Sequence, residues 1–259
     1  MILPASPNDP RVSIVIATYN RCARLAKCLD SVARNVTVAH EVIVVGGGTG
    51  DGTEELLAAR SDVRFIAETR REGAARAYNK GFRAARAEFV MWLNDDSWPL
   101  PGSVEAALEF HEREANDDVG MVAFYHNEDR AWNKLDTIEH AGATFSIYNV
   151  RGTPFANFGL LRRDLLERVG YLDEGFYYCG WDPDLALKIQ RREHRRVIGC
   201  RAALIHHEEH LDERKRSDQS TRAESDNARL FAKWALPEKF TYPDPTPAYL
   251  EMLADRGLA

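Results

Sequence analysis

The chain has 259 residues, 44% of them hydrophobic and 29% charged, an ordinary globular composition long enough to bury a sizeable core without staples. Its net charge of −6 lacks the basic excess that duplex binding requires, which disfavours nucleic acid as a partner. Cys22, Cys28, Cys179 and Cys200 form neither a CxxC pair nor a zinc spacing, and read as reduced thiols of a cytoplasmic protein.

Met1–Pro10 holds three prolines and no apolar run after a basic start, so it is not a signal peptide. No stretch approaches the ~18 apolar residues of a membrane span. Val12–Ala17 is a β-branched apolar run suited to a buried parallel strand. Asn20 then offers an N-cap to a helix whose apolar stripe is Leu25, Cys28, Leu29 and Val32. Glu41–Val45 is a second buried strand, followed by the glycine-rich turn Gly46–Gly52. Asp51 and Glu54 have the spacing of a capping box for a helix over Thr53–Ala59.

Val63–Ala67 predicts a third strand and Gly73–Ala87 a helix packed tightly through Ala77 and Gly81. Phe89–Leu93 predicts a fourth strand, closed by Asn94-Asp95-Asp96. A helix over Ser103–Glu114 and a strand over Val119–Tyr125 follow. Alternating strands and helices with short connections argue for a parallel sheet with right-handed crossovers. Residues 126–157 lack clear periodicity and predict irregular strands and loops. Short helices are expected at Asp164–Val169 and Pro183–Glu193, and short strands at Val197–Ile198 and Ala203–Ile205. Glu208–Ser225 is highly charged and reads as a solvated segment, with a final amphipathic helix over Ala228–Leu236. The expected organisation is one domain over 1–259 with two lobes (11–124 and 125–207) and a charged extension (208–259).

The chemistry concentrates in two places. Ligands of parallel α/β sheets bind beyond the carboxyl ends of the strands, where Asp95 and Asp96 would stand side by side. Adjacent carboxylates repel unless a cation lies near them. Oxygen ligands suit Mg²⁺ or Mn²⁺ shared with substrate phosphates, and the competing reading is a solvated turn. The second place is Asp173–Lys188. Pro183 suits the first position of a helix, which makes Asp182 its N-cap. A carboxylate here can also serve as a general base, its pKa raised by apolar neighbours such as Trp181, Tyr177 and Tyr178, while a helix N-terminus opposes that rise.

Between about Val12 and His207 the chain resembles inverting family-2-type glycosyltransferases of the GT-A fold. Ser13–Arg21, Glu41–Val45, the turn ending Asp51-Gly-Thr53, Gly73–Gly81 and Asn94-Asp-Asp96 follow that family's motifs in order and spacing. The resemblance implies an α/β fold with a mostly parallel sheet and a smaller mixed acceptor-side lobe. It implies transfer of a sugar, with inversion, from a nucleotide-diphosphate sugar to an acceptor hydroxyl, aided by Mn²⁺ or Mg²⁺. The implied donor contacts are Ala17, Thr18, Tyr19, Asn20, Arg21, Gly46, Arg76, Asn94 and Asp95. Asp96 and His206 are the implied metal ligands, with Asp95 beside them and His207 kept open. Asp182 is the implied base with Asp184 in reserve, and Trp181 and Tyr178 would meet the acceptor.

Three positions depart from the family pattern. Asn94 replaces the first aspartate of its Asp-x-Asp, Trp181 replaces a glutamate, and Gly46-Gly47-Gly48 stands where aspartates usually contact the base or ribose. UDP, dTDP and GDP therefore stay equally open as donors. A non-catalytic binding module and a nucleotidyltransferase are the competing classes. Thr18-Tyr-Asn-Arg21 lacks the Gly-rich basic loop of the latter. The acceptor, whose site Tyr125–Phe158 would shape, is not specified, and a lipid-linked one would require peripheral docking.

Overall fold

The computed structural model describes residues 9–113, 116–127, 133–208, 212–238 and 241–258. The expectations that fall on Met1–Asn8, Glu114 and His210 lie outside these residues. Strands β1 (Val12–Thr18), β2 (His40–Gly46), β3 (Val63–Ala67) and β4 (Phe89–Asn94) pair in parallel in the order β3-β2-β1-β4. Val12, Ile14, Val15 and Ile16 are all fully buried. That is why β1 is continuously apolar: helices cover both faces of such a sheet. Helix α1 (Cys22–Asn35) turns Leu25, Cys28, Leu29 and Val32 inward as their spacing predicts.

Beyond β4 the sheet becomes mixed. A strand absent from the sequence reading, β10 (Gly159–Arg162), inserts antiparallel between β4 and β6 (Val119–His126). The two short strands expected near Val197 and Ala203 are one bulged strand, β11 (Arg196–His207). It runs parallel to β6, shifts register between Cys200 and Leu204, and then pairs antiparallel with β5 (Ser97–Pro99). Residues 126–157 are more regular than their sequence suggests: β7 (Lys134–His140), β8 (Ala143–Val150) and β9 (Thr153–Phe155) form an antiparallel meander.

The remaining helices are α2 (Thr53–Ala58), α3 (Ala74–Ala84), α4 (Ser103–Glu112), α5 (Arg163–Arg168), α6 (Trp181–Arg192), α7 (Glu213–Thr221), α8 (Ala223–Trp234) and α9 (Thr246–Asp255). Asn20 does not cap α1. Its φ is 52°, its Oδ1 accepts from Gly50 N at 3.2 Å, and Arg21 occupies the cap position. The N–H of Cys22 is satisfied instead by Asp51 Oδ2 at 2.8 Å. The segment read as solvated is mostly exposed, and its described part is largely helical, with two carboxylates turned inward to arginines. Asp212 and Asp218 bond Arg21 and Arg71, and Asp226 accepts from the N–H groups of Tyr177, Tyr178 and Cys179. Among the described residues no helix is long and apolar enough to cross a membrane.

Candidate active site

A cavity of about 520 Å³ opens at the carboxyl ends of β1 and β4. Register places Ala17 opposite Asn94, and Thr18 follows at the rim. Ala17, Thr18, Tyr19, Arg21, Asn94, Asp95 and Asp96 line this mouth; Trp181 and Asp182 of α6 and Asn157 line the opposite wall.

The paired carboxylates have a cation between them, and it is a guanidinium. Arg21 Nη1 donates to Asp95 Oδ1 at 3.0 Å and to Asp96 Oδ2 at 2.6 Å, while Arg21 Nε donates to Asp212 Oδ2 at 2.7 Å. Thr18 Oγ1 donates to Asp95 Oδ2 at 2.9 Å. Asp95 and Asp96 are both buried. Burial pushes the Asp96 carboxyl up, but the hydrogen bond and charge of His207, with Arg21 and Lys215, outweigh it and hold it well below the usual carboxylate range. Asn94 Oδ1 accepts from the Tyr78 hydroxyl at 3.0 Å. Burial, reinforced by Asp95 and Asp96, raises the Tyr78 phenol and keeps it a donor.

The histidine expectation shifts by one residue. Successive side chains of a strand point to opposite faces. The pairing of β11 with β5 sets His207 against Ser97 and His206 against Trp98. His207 lines the cleft, with Nε2 3.3 Å from Asp96 Oδ1. His206 stacks on Trp98 with ring centroids 4.9 Å apart and does not line the cavity. The doublet in the sequence marks the strand end; only the β5 pairing decides which ring faces inward.

Asp182 and Asp184 also separate. Helix α6 begins at Trp181 with Gly180 as N-cap, so Asp182 lies within the first turn and caps nothing. Its Oδ2 accepts from Asn157 Nδ2 at 2.9 Å at the cavity wall. Asn157 is itself fixed, its carbonyl accepting from Trp92 Nε1 at 2.7 Å and its Oδ1 lying 3.1 Å from His126 Nε2. Asp184 is fully buried on another face of α6. Trp234 Nε1 donates to it at 2.7 Å, and Lys233 Nζ lies 2.7 Å away. It does not line the cavity and holds α8 to α6. Trp181 and Tyr178 do line it, with the Trp181 ring 5.0 Å from that of Tyr78.

On the side of β2 and β3, Asn20, Gly46 and Arg76 are not among the lining residues. Arg76 reaches outward to Glu174 at 3.6 Å. The carboxylate on this wall is Glu68, just past β3 and missed in the sequence reading, with Lys80 Nζ donating to its Oε1 at 2.7 Å. A Cβ on Gly47 would come within 1.8 Å of Glu68 O, so the glycine run lets the two chain segments touch. Arg71, also missed, lies over Tyr19 and Tyr177 and is paired with Asp218. Neither residue belongs to a recognisable motif; both reach the cleft because β3 ends beside β2.

Asp96 Oδ1 and His207 Nε2 are close enough for one ion to hold both. The carboxylate oxygen suits Mn²⁺ or Mg²⁺, and the imidazole nitrogen favours a transition metal over Mg²⁺. Among the described residues no three acidic, histidine or cysteine side chains converge as a metal group. A two-residue set leaves coordination positions for phosphate oxygens and water, as is usual for ions shared with substrate phosphates. The residues fit a divalent ion at Asp96 and His207. Asp95, turned to Thr18 and Arg21, is poorly placed to add a third ligand.

Residues 13–170 match the family model for glycosyl transferase family 2. The chain is 24% identical over 231 residues to the uncharacterized glycosyltransferase YwdF of Bacillus subtilis (strain 168), covering 88% of this chain and 85% of YwdF. Two further curated relatives are matched over about a third of their own length. The fold resembles that of the mannosyltransferase PcManGT from Pyrobaculum calidifontis, solved with GDP-Man and Mn²⁺. The TM-score is 0.63 at 22% identity, covering 99% of this chain and 73% of that one. It also resembles S. aureus TarS 1–349, solved with UDP-GlcNAc, with a TM-score of 0.64 at 16% identity over 95% and 80% of the two chains. At these identities the likeness establishes the fold, which is GT-A.

Proposed function

The chain belongs to glycosyl transferase family 2, and on that premise we propose that it transfers a sugar from a nucleotide-diphosphate sugar to an acceptor hydroxyl with inversion. The observation that carries the reading is the shared cavity. Asp96 and His207 stand 3.3 Å apart on one wall, and Asp182 faces the same space from another. The neighbours PcManGT and TarS, solved with GDP-Man and with UDP-GlcNAc, lend support to the donor class.

In this reading the donor diphosphate lies against Asp96, His207, Arg21 and Lys215, and the acceptor enters beside Trp181 and Tyr178. Asp182 accepts the proton of the acceptor hydroxyl as its oxygen bonds to the anomeric carbon. The bond from that carbon to the diphosphate breaks, and the nucleoside diphosphate leaves with the electron pair. Asn157 orients the Asp182 carboxylate through Oδ2. A divalent ion held by Asp96 and His207 would neutralise charge developing on the leaving diphosphate. Trp181, Tyr78 and Phe158 shield the reacting centre from water.

A screen of nucleotide sugars with Mn²⁺, following release of nucleoside diphosphate, tests the proposal. Slow donor hydrolysis is expected for one nucleotide series. Neither hydrolysis nor transfer with any donor would favour a binding module.

A further inference from the structure

Resting on that reading, we propose that the acceptor carries an anionic group, a phosphate or a carboxylate, and that Arg151 receives it where the cleft meets a second cavity. Arg151 and Tyr242 line both the catalytic cleft and an adjoining cavity of about 580 Å³. The second cavity provides room for an acceptor that extends beyond the hydroxyl being glycosylated.

The position of Arg151 is costly in itself. β8 and β9 are joined by Arg151-Gly152, with Val150 paired to Thr153. The φ values of the two turn residues are 49° and 85°. Two positive φ values in a two-residue hairpin define a type I′ turn, whose first position favours Asn, Asp or Gly. Asn149 Oδ1 accepts from Gly152 N at 3.0 Å and fixes the turn. An arginine there opposes the backbone preference, yet the turn sets its side chain at the boundary of the two cavities.

Among the described residues its charge is also unmatched. Three arginines line the cleft among the described residues. Arg21 is bonded to Asp95, Asp96 and Asp212, and Arg71 to Asp218. The Arg151 guanidinium lies 4.8 Å from the centre of the Phe231 ring, and its Nε is buried without a hydrogen-bond partner. A buried donor left unpaired is destabilising. A guanidinium beside an aromatic ring keeps its N–H fork, which takes phosphate or carboxylate in pairs of hydrogen bonds. Nε itself is too enclosed to meet a ligand, so the Nη groups, which make no ion pair with the described residues, are assigned to the substrate.

The test titrates phenyl phosphate, phenyl β-D-glucuronide and the neutral phenyl β-D-glucoside into the whole protein and into Arg151→Asn. UDP and GDP binding and Tm are measured alongside. Asn suits the turn, so Tm should hold or rise. One anionic probe should bind wild type about tenfold tighter than the neutral one, and which of the two does so separates phosphate from carboxylate. Arg151→Asn should erase that preference without changing UDP or GDP binding. The proposal is overturned if wild type shows no preference or if the variant keeps it. A loss of nucleoside diphosphate binding in Arg151→Asn would also overturn it, by moving Arg151 to the donor side. Failure of UDP and GDP to bind wild type would count against the donor reading alone.

Discussion

Arg21 Nη1 donates to Asp96 Oδ2 at 2.6 Å, so the carboxylate expected to hold a metal is already met by a protein cation. Arg21, Asp95 and Asp96 are all buried, and removing the guanidinium takes away the cation that both carboxylates share. Arg21→Gln should lower stability by about 3 kcal/mol in metal-free buffer. Saturating Mn²⁺ should then raise the Tm of the variant more than that of wild type, since an ion that binds the native state stabilises it. Equal Mn²⁺ shifts in both proteins would show that the ion does not bind among these carboxylates.

Asp182 and Asp184 should part under the same substitution. Asp182→Asn is expected to keep fold and donor affinity while turnover falls about a hundredfold or more, the usual contribution of a general base. Asp184→Asn removes the charge facing Lys233 and Lys188 and weakens the contact with Trp234. It should lower the Tm first and affect turnover only through folding. Steady-state rates beside thermal melts check both, and a catalytic collapse confined to a well-folded Asp184→Asn would reverse the assignment.

Much of the N-terminal half was legible because β1, β2 and β4 are largely buried and advertise themselves as apolar runs. The strand end at Asn94–Asp96 was legible for the same reason. The face presented by the His206–His207 doublet was not, because it follows from the register of β11 against β5, a pairing between residues about a hundred positions apart. The role of Asp184 was hidden because its partner Trp234 comes from a helix fifty residues on. Asp212 and Asp218 sit in a stretch whose charge suggested solvent exposure, and Asp226 lies just beyond it. Their partners, Arg21, Arg71 and the amides of 177–179, come from distant segments and only the fold brings them together.

The two histidines offer a control within one strand. His207→Ala should weaken Mn²⁺ binding in the presence of nucleoside diphosphate by about tenfold or more, at least the loss that removing an outer-shell partner produces. His206→Ala, which loses only the stack on Trp98, should leave it unchanged. Titration of free Mn²⁺ by electron paramagnetic resonance reads both, and the reverse pattern would return the ligand to His206.

His111 predicts how stability responds to acid. It is buried against Phe89 with ring centroids 5.1 Å apart. Burial first, then the charge of Arg162, pushes its imidazole down from 6.5 to about 4. The unfolded chain therefore takes up a proton below pH 6.5 that the folded chain refuses until about pH 4. The stability contribution is whole above pH 6.5 and is lost as pH falls toward 4, by about 3 kcal/mol at most. His111→Leu should flatten the pH dependence of urea unfolding across that window; an unaltered slope would place the acid sensitivity elsewhere.

In the proposed mechanism Asp96 and His207 form one side of a diphosphate site completed by a divalent ion. Calorimetric titration of UDP and of GDP, with and without Mn²⁺, into wild type and Asp96→Asn tests it most directly. One nucleotide should bind wild type far more tightly with Mn²⁺ than without it, and Asp96→Asn should remove that difference. Equal binding of each nucleotide with and without Mn²⁺ in both proteins would rule out the ion at Asp96 and leave Arg21 as the cation that meets the diphosphate.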